Sequence, residues 1–363
     1  MSAPSHQVPA TGRAARFAPV RLGDRIGDRD NNFDILRLLA AWAVLVSHSF
    51  ALVGEVEPLH QLDASLGAVG VLIFFSVSGL LIRRSWEYDP SPRDFWIKRA
   101  LRLLPALAVV GLVTAFVLGP LMTSVGLRTY FGSWETWIYP VRITLLFPFG
   151  AGLPGVFEDL EYAGAVNGPL WSLPVEVFAY AGLAVLGVTG LLRRRGLMVA
   201  LSVLGLAWAA VWISVTNDSL GAIYVLAAFA VSATAYSFKD RIVLTWPLAL
   251  VALVLCVLSG LGPDALRVVV WTVCAVYLCC WFAYALPPLG RRITRVGDAS
   301  YGVYIWAWPV QQATIELMGG HPSPWAVIAI TTPIVWLLAQ ASWHLVEAPA
   351  LKHKPRPTAG LVS

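Results

Sequence analysis

The chain has 363 residues, 58% of them hydrophobic and only 13% charged, with a net charge of +5 and a mean hydropathy of +0.69. Soluble globular domains carry about a quarter charged residues, so an ordinary soluble domain is excluded. The positive balance belongs to the loops of a membrane protein rather than to a nucleic-acid partner. The apolar residues fall in runs of roughly 17 to 25, the length that crosses a bilayer core. They predict an all-α polytopic membrane protein with about ten transmembrane helices.

Residues 1–30 are rich in Ala, Pro, Gly, Arg and Asp. They lack the apolar core of a signal peptide and are expected to form a disordered basic tail. Spans follow at about 33–53, 67–86, 101–123, 169–191, 197–215, 220–237, 243–261, 266–286, 299–318 and 325–345. They make a membrane domain of residues 31–350, followed by a tail of residues 351–363. An even number of crossings puts both termini on one side. On that count 23 of the 26 Lys and Arg residues share the side of the termini, and only Arg128, Arg142 and Arg267 lie opposite. This asymmetry assigns both termini to the cytoplasm.

The first span, "FDILRLLAAWAVLVSHSF" (Phe33 to Phe50), contains Asp34, Arg37 and His48. Charge at a bilayer centre costs about 2.5–3.5 kcal/mol on insertion scales and usually marks function. Arg37 and His48 lie about three helical turns apart on one face, with an axial separation of roughly 16 Å. A guanidinium suits phosphate, and an imidazole suits proton transfer near neutral pH. The plainer reading is that Arg37 snorkels to lipid head groups and His48 makes a helix contact. Asp34 sits at the interface, where it caps the helix or pairs with Arg37.

In the second span, "FFSVSGLLI" offers Ser76, Ser78 and Gly79, small residues that permit close packing or leave room for a channel. The segment "RDFWIKRALRLLP" puts Arg99 and Arg102 on one helical face at the cytoplasmic edge. Either they belong to the cytoplasmic cation cluster or they form a site for a phosphorylated donor. The long outer segment, about 124–168, contains "SWETWIYPVRITLLFPFG" and reads as interfacial or partly re-entrant.

The fourth span opens with "NGPLWSLPVEVFAY", where Pro169 and Pro174 flank Trp171 and Ser172 and Glu176 follows about two turns inside. Counted inward from the outer face, Glu176 and His48 reach similar depths. A carboxylate there would orient the imidazole or simply tie two helices together. Cys256, Cys274, Cys279 and Cys280 lie in apolar runs and are expected to be packing residues, with no metal site. "GDASYGVYIWAWPV" opens the ninth span with Asp298 as an N-cap candidate. "WHLVEAPALK" closes the tenth, with Glu347 placed to pair with the basic loops.

Together these segments resemble the acyltransferase-3 family of integral-membrane O-acyltransferases. Arg37 and His48 match its first-helix motif, "FFSVSGLLI" its second-helix motif, and Arg99 and Arg102 its paired arginines. "LWSLPVEVFAY" is similar to its Trp-Ser-Leu…Glu motif, and "SYGVYIWAWPV" and "LVEAPALK" to its C-terminal motifs. The resemblance covers about residues 31–352. It departs at Ala307, where the family often has His.

The resemblance implies transfer of an acyl group, often acetyl, from cytosolic acyl-CoA to a hydroxyl of a glycan or other polar acceptor, in the plasma membrane. On that reading Arg37, Arg99 and Arg102 hold the CoA phosphates. His48 is general base or transient acyl carrier, and Glu176 orients it. Asp34, Ser78, Trp171, Ser172 and Tyr301 are the candidate substrate contacts, with Ser172 near the oxyanion. The rival reading is a transporter or flippase that uses the same polar residues as a pathway; no inverted repeat supports it. A scaffold held by buried ions is the other alternative.

Overall fold

The computed structural model describes residues 19–58, 65–216, 221–289 and 297–355. Each expected span coincides with a helix: α1 Phe33–Ala51, α2 Leu66–Tyr88, α3 Pro92–Met122, α4 Gly168–Val188, α5 Arg195–Thr216, α6 Ala222–Ser237, α7 Trp246–Ser259, α8 Asp264–Tyr284, α9 Ser300–Leu317 and α10 Pro324–Leu351. Seven of these, α1 to α5, α8 and α10, are long and apolar enough to cross a membrane. Helices α6 and α7 are shorter, at 16 and 14 residues.

Helix α9 has 18 residues but is too polar for that set, carrying Gln311, Gln312 and Glu316. Its place in the bundle explains this. Packed against α1, α3 and α10, it is buried on nearly every side. A helix that meets protein all round can be held by polar groups that lipid would not tolerate. Gln311 does so by donating to Leu45 O at 2.7 Å and Ser49 Oγ at 2.6 Å on α1.

Three boundaries differ from the sequence reading. The N-terminal tail is ordered from residue 19: β1, Val20–Arg21, pairs antiparallel with β2, Val243–Leu244, and Leu22 is fully buried. Residues 1–18 lie outside the described residues. Helix α3 begins at Pro92, well before its apolar run, because the Ser91 hydroxyl accepts from Asp94 N at 3.3 Å and Pro92 suits a first turn. The basic segment is therefore helical. The outer segment contains a helix, Trp134–Thr144, that buries Tyr139 against α3 while Trp134 and Trp137 stay exposed.

Asn32 fixes where α1 starts. Fully buried, it donates to Phe282 O and Pro287 O, each at 3.1 Å, and accepts from Leu289 N at 2.7 Å. The end of α8 is thereby tied to the root of α1.

The small residues of α2 divide their duties. A Cβ at Gly79 would come within 2.3 Å of Phe229 O on α6, so glycine is what allows that backbone approach. Ser232 on α6 donates to Ser76 O beside it. Ser78 faces the other way, into a cavity. We predict that Gly79→Val separates α2 from α6 and costs about 3 kcal/mol. This is measurable as a lowered thermal midpoint in detergent, and an unchanged midpoint would refute the close approach.

Candidate active site

Seven of the ten candidate residues line one cavity of about 260 Å³: Arg37, Ser78, Arg99, Arg102, Ser172, Glu176 and Tyr301. It lies where α1 and α3 begin and α2 ends. Lys98, Lys354, Tyr180 and Tyr304 also line it.

Its arginines are held from behind. Asp298 Oδ2 accepts from Arg37 Nη2 at 3.1 Å and from Arg102 Nη2 at 2.7 Å, while Oδ1 takes the Ser300 hydroxyl at 2.6 Å. Arg37 also meets Asp34 at 2.5 Å. Arg102 reaches Glu347 at 3.4 Å and lies over the Tyr301 ring, 5.6 Å from its centroid. Glu347, 1% exposed, is delivered by a π turn over Trp343–Glu347, and Ser342 donates to it at 2.9 Å. Burial alone would raise the Asp298 carboxyl. Arg37 and Arg102 outweigh it and hold Asp298 well below the usual carboxylate range. The sequence marked Asp298 only as a cap; its role as common partner of two distant arginines was not visible there. Asp34 lines neither this cavity nor the one below, and pairing with Arg37 is its observed role.

Arg99 has no carboxylate partner among the described residues. It donates to Ser85 Oγ at 3.2 Å and lies over the rings of Phe95 and Tyr180, at 5.2 and 5.8 Å. Glu176 Oε1 accepts from Ser78 at 2.7 Å and from Tyr180 at 2.5 Å. The sequence missed Tyr180, although it sits four residues after Glu176 on the same helix face.

His48 and Trp171 line a second cavity, of about 540 Å³, toward the other end of α1, with Glu55, Glu57, Tyr162 and Trp308. His48 and Trp308 meet edge to face with centroids 4.9 Å apart, and the buried Nδ1 of His48 has no hydrogen bond among the described residues. Trp308 is fixed by its Nε1 donating to Ala165 O at 2.7 Å. A Cβ on Gly168 would press to 3.0 Å from the Trp308 ring, so this glycine leaves the ring its place. Val71 stands in the walls of both cavities, and the consecutive residues Trp171 and Ser172 face one each.

Two expected roles are corrected. No hydrogen bond joins Glu176 to His48 among the described residues; the carboxylate is taken by Ser78 and Tyr180, in the other cavity. Ser172 is not a free donor for an oxyanion. Tyr304 donates to Pro169 O at 2.6 Å, so the Ser172 hydroxyl donates to Tyr304 Oη at 2.7 Å. Ala307 is 2% exposed and lines neither cavity.

Removing Asp298 would leave two arginines without their shared partner. We predict that Asp298→Ala costs about 3–5 kcal/mol of stability, read as a lower thermal midpoint in detergent. Because folding depresses this carboxyl, its contribution is complete above a pH of about 4. It is lost only as pH falls through the lower folded value. Wild type and variant should therefore differ fully at neutral pH. Equal midpoints there would refute the role.

A model of the acyltransferase domain of the acyltransferase-3 family matches residues 30–342. The chain is 32% identical over 337 residues to the O-acetyl transferase of Shigella phage Sf6, covering 88% of this chain and 95% of that one. It is 29% identical to nodulation protein 10 of Rhizobium leguminosarum bv. viciae, covering 89% and 93%. It is 25% identical to a Bacillus subtilis (strain 168) protein provisionally named a peptidoglycan O-acetyltransferase, covering 87% of this chain and 54% of that one. No solved structure gives a significant match. With the family model spanning most of its length, the chain belongs to the acyltransferase-3 family of membrane acyltransferases.

Proposed function

We propose that this protein transfers an acyl group, acetyl by likeness to the phage O-acetyl transferase, from acyl-CoA to a hydroxyl of a glycan. The observation that carries the reading is the pair of cavities along α1. One is lined by Arg37, Lys98, Arg99, Arg102 and Lys354, the other by His48, and Val71 stands between them. Cations around a cavity suit the phosphates of CoA. The extended pantetheine arm is of the same order as the roughly 16 Å that separates Arg37 from His48 along the helix. The donor enters from the cytoplasmic side, where both termini lie, and its thioester reaches past Val71. The acceptor occupies the His48 cavity, where Trp171, Trp308 and Tyr162 offer ring faces and Glu55 and Glu57 offer acceptors for sugar hydroxyls. The peptidoglycan assignment of the Bacillus subtilis relative favours a glycan there.

In this arrangement His48 takes the proton of the acceptor hydroxyl as its oxygen attacks the thioester carbonyl. The C–O bond forms, the C–S bond breaks, and the departing thiolate recovers the proton from the imidazolium. The products are the ester and free CoA thiol. Glu176 acts one step removed: it fixes Ser78 and Tyr180 and balances the charge of Arg99 in the donor cavity. Trp308 packs edge to face against the imidazole and takes the positioning part that the sequence assigned to Glu176.

The test is release of CoA thiol from acetyl-CoA by the purified protein with a glycan acceptor. His48→Ala should lower turnover by at least about 100-fold, the lower bound for a general base. It should leave CoA binding intact. Normal turnover in that variant would overturn the assignment.

A further inference from the structure

Lys354 was not among the sequence-predicted site residues, and it lies beyond residue 342, where the family match ends. It nevertheless lines the cationic cavity. It arrives there because α10 continues through its π turn to Leu351, packs against α3, and is followed by a turn in which His353 N donates to Ala350 O at 3.1 Å and Lys354 N to Leu351 O at 3.3 Å.

The cations of this cavity are not equivalent. Arg37 and Arg102 share Asp298, and Lys98 is paired with Asp89 at 2.5 Å. Arg99 has a serine and two rings. The Lys354 ammonium has no hydrogen bond or ion pair among the described residues. Although Lys354 is an exposed residue, partial desolvation of its ammonium at the cavity, then Arg102, Arg99, Lys98 and Arg37, hold it below the ordinary lysine range. Four like charges around an unpaired ammonium are unfavourable in the empty site and favourable once an anion enters. A compact ammonium on a flexible stem suits a phosphate approached from one side.

We propose that Lys354 is a donor-binding residue that, with Arg99, engages a phosphate group of the incoming acyl-CoA. This rests on the donor reading above. Arg37 and Arg102, already bound to Asp298, form the fixed wall of the site. Lys354 and Arg99 supply the positive charge that no carboxylate among the described residues contacts directly. A membrane lipid also carries phosphate, so the experiment must separate the two sources.

Wild type, Lys354→Ala and Lys354→Arg are compared in nanodiscs made with and without anionic lipid, using acetyl-CoA and acetyl-pantetheine as donors. Lys354→Ala should raise KM for acetyl-CoA about tenfold while kcat changes less than twofold, and Lys354→Arg should recover most of the loss. With acetyl-pantetheine, which has no phosphate, the three proteins should converge. An equal change with both donors, or no change, overturns the proposal. A change that appears only with anionic lipid assigns the residue to lipid and also overturns it. Calorimetry of CoA binding keeps the two readings apart. If wild type turns over no acyl-CoA yet binds CoA about tenfold more tightly than Lys354→Ala, the transfer reading fails and the phosphate site stands. If wild type turns over acyl-CoA and Lys354→Ala binds CoA equally well, only the Lys354 assignment fails.

Discussion

One carboxylate, Asp298, holds the cationic end of this molecule together. It lies between Arg37 of α1 and Arg102 of α3, and Glu347 at the end of α10 meets Arg102 from another side. Helices far apart in the chain are thus joined through four acidic and basic groups that would each be costly alone. The same contacts aim the guanidinium groups. An arginine held from behind by a carboxylate keeps its remaining N–H donors in fixed directions. The cavity in front therefore has a defined charged wall before any ligand arrives.

The two cavities give α1 its logic. A helix with Arg37 at one end and His48 near the other is otherwise hard to accommodate in an apolar environment. Here each polar residue opens into its own cavity, and the helix between them is sealed by Ala40, Ala41, Val44 and Leu45 in the core. Val71 lines both a space walled by cations and one lined by aromatic rings and an imidazole.

The positions of the helices were legible from sequence because long apolar runs report burial in lipid or protein alike. Helix α9 shows the limit of that signal. Its Gln311 and Gln312 are tolerated because their partners are protein groups, α1 for Gln311 and the loop carbonyl of Ala165 for Gln312, a fact that hydropathy cannot contain. The first-helix arginine and histidine were legible as a pair through helical spacing. The link from Glu176 to His48 was inferred from equal depth, and depth fixes only one coordinate; rotation about α4 points the carboxylate to Ser78 and Tyr180 instead. Asp298 and Lys354 gave little signal, since their meaning depends on which distant cations stand around them. The early start of α3 was written in Ser91 and Pro92, a cap that apolar counting passes over.

The π turn at Trp343–Glu347 has a reach beyond its own five residues. An α-helix advances about 100° per residue, and a π turn absorbs one residue more than an α turn. All that follows is therefore rotated relative to an unbroken helix. Glu347 faces Arg102 because of that offset, and Lys354 inherits it. The turn works as a phase setting: it couples the angular position of the last helix to the charge pattern of the cavity. A chain one residue shorter at this point would present a different face of its last turn to the cationic cavity.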